Sequence, residues 1–259
     1  MTTQPQRRMT VLITGATGAI GSALAKVYAS PGSALILQGR NAESLARLEA
    51  LCTEKGARVI TQALDVRDRR ALMAWVREIS GQETVDLAIV CAGVNGNIGP
   101  DRAGEPWQYI EALIEINVLA AIATVDAVLP AMRTRGRGQV ALLSSLSAWY
   151  GLPITPSYSA SKAAIKAYGE ALRGWLGPEG IRVNVVMPGY VESKMARDMP
   201  GPKAFVIPAD RAARYIKRGL ERDVPRISFP FPMNLGTWLL SVLPPGVSER
   251  ILRSLGYRG

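Results

Sequence analysis

Along this chain short apolar runs alternate with longer segments in which apolar residues return every three or four positions, the two periods of strand and helix. Residues 9–14, 34–38, 59–64, 85–91, 139–144 and 182–187 read as strands, with helices filling the intervals. These runs are nearly continuous in apolar residues rather than alternating, which suits strands buried on both faces beneath crossover helices. The pattern predicts an α/β fold: one doubly wound, Rossmann-type parallel sheet in a single domain. Ligands of such sheets sit beyond the carboxyl ends of the strands, so the residues following each strand are where chemistry is sought.

Composition narrows that chemistry. With 48% hydrophobic and 20% charged residues, 259 residues can bury one core, apart from the polar residues 1–8, which are expected to fray. A formal charge of +10 raises the question of an anionic partner. The arginines are dispersed, however, as Arg7 and Arg8, then Arg67, Arg69 and Arg70, then Arg133, Arg135 and Arg137, with acids between most clusters and no nucleic-acid motif. Solvated charge is the reading, and no nucleic-acid partner is expected. The lack of histidine removes Ser-His-Asp catalysis, imidazole general bases and histidine-ligated zinc, and no metal site is expected. Cys52 and Cys91 fall on a helix and a strand end, which argues against a disulfide framework; with no recognisable secretory signal, a cytoplasmic location is expected.

Thr14-Gly15-Ala16-Thr17-Gly18-Ala19-Ile20-Gly21 sets three glycines between the first strand and the first helix. Gly15 permits a tight turn, Gly18 lets backbone amides approach a pyrophosphate, and Gly21 allows close helix packing, while the helix amino terminus supplies partial positive charge. A glycine-rich corner can also serve packing alone; its place after the first strand favours a nucleotide site. After the second strand, Gly39 stands where a carboxylate would meet the ribose hydroxyls of NAD, and Arg40 follows. A guanidinium there can pair with a 2′-phosphate, so NADP(H) is the expected cofactor, with Arg40 and Asn41 beside it. The alternative is a solvated arginine at a helix start.

Tyr158 and Lys162 lie one turn apart on a strongly helical segment, and Ser145 ends an upstream strand. An ammonium near a phenol favours the phenolate, which is expected to lower the tyrosine pKa toward the working pH of a general acid. Such a pair is common on ordinary helices, and turn chemistry is the competing reading for Ser144, Ser145 and Ser147.

Taken together these residues resemble the short-chain dehydrogenase/reductase family from residue 9 to about 193: the loop from Thr14 to Gly21, Asp65-Val66, Cys91-Ala92-Gly93, Asn117, Ser145, Tyr158 with Lys162, and Pro188-Gly189 match in order. The resemblance implies interconversion of a ketone and a secondary alcohol. Tyr158 would be the acid/base, Ser145 would polarise the carbonyl, Lys162 would tune Tyr158 and hold the ribose, and Asn117 would anchor a relay water. Asp65 and Val66 would border the adenine, and Cys91, Ala92 and Gly93 would lie along the cofactor. Pro188 and Gly189 would shape the turn under the nicotinamide, Val191 would cover it, and Ser193 would reach its carboxamide. Two departures stand out: the middle glycine is Gly18 rather than position 19, a spacing resembling the family's sugar-nucleotide epimerases, and Cys91 replaces a frequent asparagine.

The organisation expected is therefore a catalytic domain over 9–226, with a Pro- and Gly-rich substrate loop at about 190–208, and an apolar extension over 227–259. Met195, Met199, Phe205 and Trp149 are candidates for an apolar pocket. Residues 227–248 carry no charge, but prolines at 230, 232, 244 and 245 forbid one spanning helix. Leu235, Trp238, Leu239, Val242 and Leu243 recur at helical spacing, with Arg250, Arg253 and Arg258 after them. This segment packs on its own domain, on a partner subunit or on the inner membrane surface. The helix following Pro156 has apolar residues on more than one face, and the family commonly pairs through it, so a homodimer or homotetramer is expected. A small carbonyl or alcohol, lipid-like or sugar-linked, is the expected substrate. A sugar-nucleotide or lipid-linked sugar reductase or epimerase, and a non-catalytic NADP(H)-binding sensor or scaffold, are the alternatives.

Overall fold

A computed structural model describes residues 9–99, 102–199 and 201–257; the expectation for residues 1–8, Pro200 of the substrate loop and Arg258 of the final basic cluster lie outside the described residues. The chain runs β1 (Thr10–Thr14), α1 (Ala19–Tyr28), β2 (Ala34–Gly39), α2 (Ala42–Thr53), β3 (Arg58–Ala63), α3 (Arg69–Gln82), β4 (Leu87–Val90) and α4 (Trp107–Ile114). A π turn, Glu115–Leu119, joins α4 to α5 (Ala120–Thr134), followed by β5 (Gly138–Leu143), α6 (Pro156–Leu176), β6 (Ile181–Pro188) and α7 (Lys194–Asp198). The chain closes with α8 (Ala209–Glu221), β7 (Arg226–Phe229), α9 (Met233–Val242) and α10 (Pro245–Ser254).

All strand pairs are parallel, in the order β3-β2-β1-β4-β5-β6-β7. The strand order reverses between β1 and β4, with Ile13 opposite Ile89 and Thr14 opposite Val90, which makes that crevice the place for a ligand. Alternate strand side chains face opposite layers. Val11, Ile13, Leu35 and Leu37 pack with Leu24, Leu45, Ile216 and Leu220 from α1, α2 and α8. Leu12, Ile36, Ala88 and Val90 pack with Leu72, Val76, Val125 and Leu172 from α3, α5 and α6. The continuous helix Trp107–Thr134 is long and apolar enough to cross a membrane by length and composition alone, but most of its buried residues, Val125, Val128 and Met132 among them, belong to this second layer.

The seventh strand corrects the expected boundary at 226/227. Arg226–Phe229 pairs with β6, Val186 opposite Ile227, so the sheet ends inside the segment read as an extension. Four residues between Pro225 and Pro230 are too few to show a period, and their apolar character merges with that of the uncharged residues after Pro230. The turn before β7 is held by a polar chain: Arg173 pairs with Asp223 at 2.8 Å, Asn184 Nδ2 donates to Asp223 Oδ1 at 2.9 Å, and Gln139 Nε2 donates to Asn184 Oδ1 at 2.8 Å. Beyond β7, α9 and α10 fold back over the carboxyl ends of the strands. Leu240, Leu252 and Tyr257 pack with Ile154, and Met233 packs against Leu146 and Met187, so these positions rest on the chain's own domain.

Candidate active site

The glycine loop is set by contacts between neighbouring strand ends. Thr14 Oγ1 accepts from the amides of Cys91 at 3.2 Å and Ala92 at 3.4 Å, which ties β1 to β4. Gly15 then turns with φ of +65°, and a Cβ there would lie 2.6 Å from Ala92 Cα. Gln38, buried at the end of β2, accepts from Gly15 N at 3.0 Å and donates to Leu64 O at 2.6 Å. Sequence reasoning missed Gln38, although a lone amide in an apolar strand was a readable signal. Gly18 caps α1 without a side-chain hydrogen bond, and the first turn has no acidic residue, so the amides and dipole of this terminus are left for an anion. Gly15→Ala is expected to destabilise by roughly 1–3 kcal/mol, because a strained φ is combined with a backbone collision. A thermal melt lower by several degrees, with weaker NADPH binding by fluorescence titration, checks this.

The end of β2 presents no carboxylate to a ribose diol. A Cβ at Gly39 would sit 2.9 Å from Thr17 Cγ2, so Thr17 occupies the space an acidic side chain would leave by. Exposed Arg40 lines the cavity beside Asp65. Asp65 is itself paired with Arg67 at 2.7 Å, and the hydrogen bonds and charge of Arg67, with a smaller contribution from Arg40, hold its carboxyl below the usual range. Arg67 is thus a second cation at this corner that sequence reasoning read only as solvated charge. Asn41, expected at the cofactor, instead caps α2, its Oδ1 accepting from Ser44 N at 2.7 Å.

Tyr158 and Lys162 lie on α6 and Ser145 just past β5, and all three line one cavity. Ser145 opens a 3₁₀ turn, Leu146–Ala148, its Oγ accepting from Ser147 N at 3.2 Å, and it lines the same cavity as Tyr158. Lys162 Nζ donates to Leu143 O at 3.0 Å and stands 5.6 Å from the Tyr158 ring centre. The expected lowering of the Tyr158 pKa is corrected: burial raises it, and the opposing effect is the hydrogen bond from Ser145. The ammonium donates one hydrogen bond to the Leu143 carbonyl and is itself weakened, since burial brings Lys162 down to about 8, with Cys91 opposing in part. Ser144 is structural, its Oγ donating to Lys162 O at 2.7 Å, whereas buried Ser147 Oγ has no partner and faces the same cavity.

Asn117 lies in the π turn, a local widening often found at functional sites. Its Oδ1 accepts from Val94 N at 2.8 Å, and its Nδ2 donates to Val94 O at 2.9 Å and to Ser161 Oγ at 3.1 Å. Gly93 bridges the groups: a Cβ there would stand 3.2 Å from Asn117 Oδ1 and 3.4 Å from Lys162 Nζ.

One cavity of about 1120 Å³ joins these features. Every expected site residue lines it except Thr14, Asn41 and Asn117, whose side chains are engaged as described. Ser193 caps α7, accepting from Ala196 N at 3.0 Å, and Val191 bridges to Ile207, which closes the base of the substrate loop. Met195, Met199 and Phe205 line the cavity, but Trp149 does not: its ring lies between Lys166 Nζ at 4.7 Å and Arg226 Cζ at 5.1 Å. Sequence reasoning also missed that the C-terminal segment forms a wall of this cavity, through Leu239, Leu252 and Tyr257 among others.

Glycine cradle, tyrosine, lysine and serine on this sheet define a dinucleotide-dependent oxidoreductase class, and the comparisons give its family. The short chain dehydrogenase family matches residues 9–203. An uncharacterized oxidoreductase of Myxococcus xanthus is 32% identical over 247 residues, covering 95% of this chain and 97% of that protein. Among solved structures, a short-chain dehydrogenase of Sphingobium yanoikuyae in complex with NADPH superposes with TM-score 0.80 over 97% of this chain and 98% of that one, at 24% identity. NAD+-bound xylitol dehydrogenase superposes with TM-score 0.75 over 87% of this chain and 97% of that one, also at 24% identity. The chain belongs to the short-chain dehydrogenase family and is an oxidoreductase of that family.

Proposed function

We propose that this protein is an NADP(H)-dependent reductase that interconverts a ketone and a secondary alcohol. The observation that carries the reading is a single cavity with Tyr158, Ser145 and Lys162 in one wall and the Gly15–Gly21 loop with Arg40 in another. Both NADPH- and NAD+-bound proteins share the fold, so the cofactor choice rests on Gly39, Thr17 and Arg40.

The loop residues Gly15, Gly18, Ala19, Ile20 and Gly21 would hold the pyrophosphate, Arg40 the 2′-phosphate, and Lys162 the nicotinamide ribose. When bound, the reduced cofactor supplies a hydride for the carbonyl carbon. The Tyr158 hydroxyl donates its proton to the carbonyl oxygen, so the C=O bond becomes C–H and O–H. Ser145 donates a hydrogen bond to the same oxygen and stabilises the charge gathering there. A raised Tyr158 pKa suits this direction, because the phenol stays protonated through the neutral range. Loss of NADPH absorbance on adding a ketone, with the secondary alcohol as product, tests the reading; an epimerised sugar or no turnover with any ketone refutes it.

The pH dependence follows from Lys162. With an ammonium titrating at about 8 in the folded chain, kcat/KM for NADPH is expected to fall on the alkaline side with a midpoint near 8. Stability moves the other way: between about 8 and the ordinary 10.5 the unfolded chain holds a proton that the folded chain has released, so this group's contribution rises with pH. Melting temperatures of wild type relative to Lys162→Met across pH 7–11, beside the rate profile, check both signs.

A further inference from the structure

The cavity does not end at the reacting groups. From Tyr158 it continues between the substrate loop and the C-terminal helices, where its walls are Met195, Met199, Leu239, Leu243, Ile251 and Leu255. Exposed apolar side chains gather along it: Leu235 is 45% exposed, Leu239 41%, Leu255 57% and Phe205 55%, and all four line this one cavity. Apolar surface left open to water in a concave site favours an apolar occupant, since its burial removes that surface from water. Several hydroxyls in this arm are already spent. Tyr190 and Tyr257 hydrogen-bond each other at 3.2 Å, Tyr257 also donates to Pro202 O at 2.8 Å, and Thr237 donates to Met233 O at 3.1 Å. A polyhydroxylated substrate would meet leucine and methionine there. The tyrosine pair also clasps the chain end to the substrate loop, which holds α10 over the arm.

We propose that the substrate is a ketone or secondary alcohol carrying a hydrocarbon chain, with that chain lying in the arm walled by α7, α9 and α10. This rests on the ketone–alcohol reading above. Continuity with Tyr158 and Ser145 selects a substrate chain, rather than a partner protein or a bilayer, as the occupant: the apolar walls and the reacting hydroxyls line one continuous cavity.

The test uses the full chain with NADPH and a series of methyl ketones from 2-butanone to 2-dodecanone. The expected result is a rise in kcat/KM of about fourfold per added methylene until the arm is filled. In parallel, the corresponding 2-alkanols should raise the melting temperature of the NADP+-loaded protein increasingly with length, a readout that needs no turnover. Leu239→Asn should flatten both series. Turnover of short or polar ketones with no dependence on length in either measurement overturns the hydrocarbon assignment and leaves the reductase standing. A flat series combined with sedimentation on anionic phospholipid vesicles assigns the open leucines to a lipid surface instead, and also overturns it. Length-dependent stabilisation without reduction of any ketone retains the hydrocarbon site and refutes the reductase.

Discussion

Tyr158→Phe is expected to lower kcat for ketone reduction by two to four orders of magnitude while leaving the fold and NADPH binding in place. The ring keeps its packing on α6, and the change removes a single oxygen, at a stability cost on the order of 1 kcal/mol. What disappears is the proton donor. No histidine exists anywhere in the chain to replace it, and Lys162 already donates to the Leu143 carbonyl at 3.0 Å. Cysteine is no substitute either, since burial pushes the Cys91 thiol up to about 11. Steady-state rates beside an NADPH titration and a thermal melt give the three quantities needed. A mutant within tenfold of wild type would remove Tyr158 from the chemistry.

Arg40→Ala is expected to weaken NADPH binding by about 10- to 100-fold, the loss of charge-assisted hydrogen bonds worth about 1.5–3 kcal/mol, and to leave NADH binding nearly unchanged. The side chain is exposed, so the fold should not suffer. Asp65 is neutralised by Arg67, so the residual positive charge at this corner falls by one in the variant, and selectivity should drop most at low salt. Titrations of both dinucleotides at two salt concentrations check this. Equal losses for NADPH and NADH would place Arg40 outside the 2′-phosphate site.

Much of the fold was legible because its signals are local. Six of the seven strands announce themselves as apolar runs between helical periods, and the glycine loop and the Tyr158–Lys162 spacing each fit within one turn or one helix. The less legible features depend on what is packed beside a residue. Asn41 is a polar side chain next to a helix start, and only the α2 geometry turns it into a cap. Tyr158 and Lys162 suggested mutual tuning from spacing alone, yet burial moves both in directions that favour their neutral forms. Trp149 looked available for a pocket until Lys166 and Arg226 took its faces.

By itself the sequence determined the fold class and the family, because hydrophobic period, glycine placement and the order of short motifs are properties of short stretches. The tertiary structure alone decided that Arg226–Phe229 completes the sheet and that the uncharged C-terminal segment walls the same cavity as Tyr158. The physical reason is common to both. Strand pairing and cavity formation are contacts between residues far apart in the chain, and an apolar stretch reads the same whether it will pack on its own domain, meet another surface or enclose a ligand.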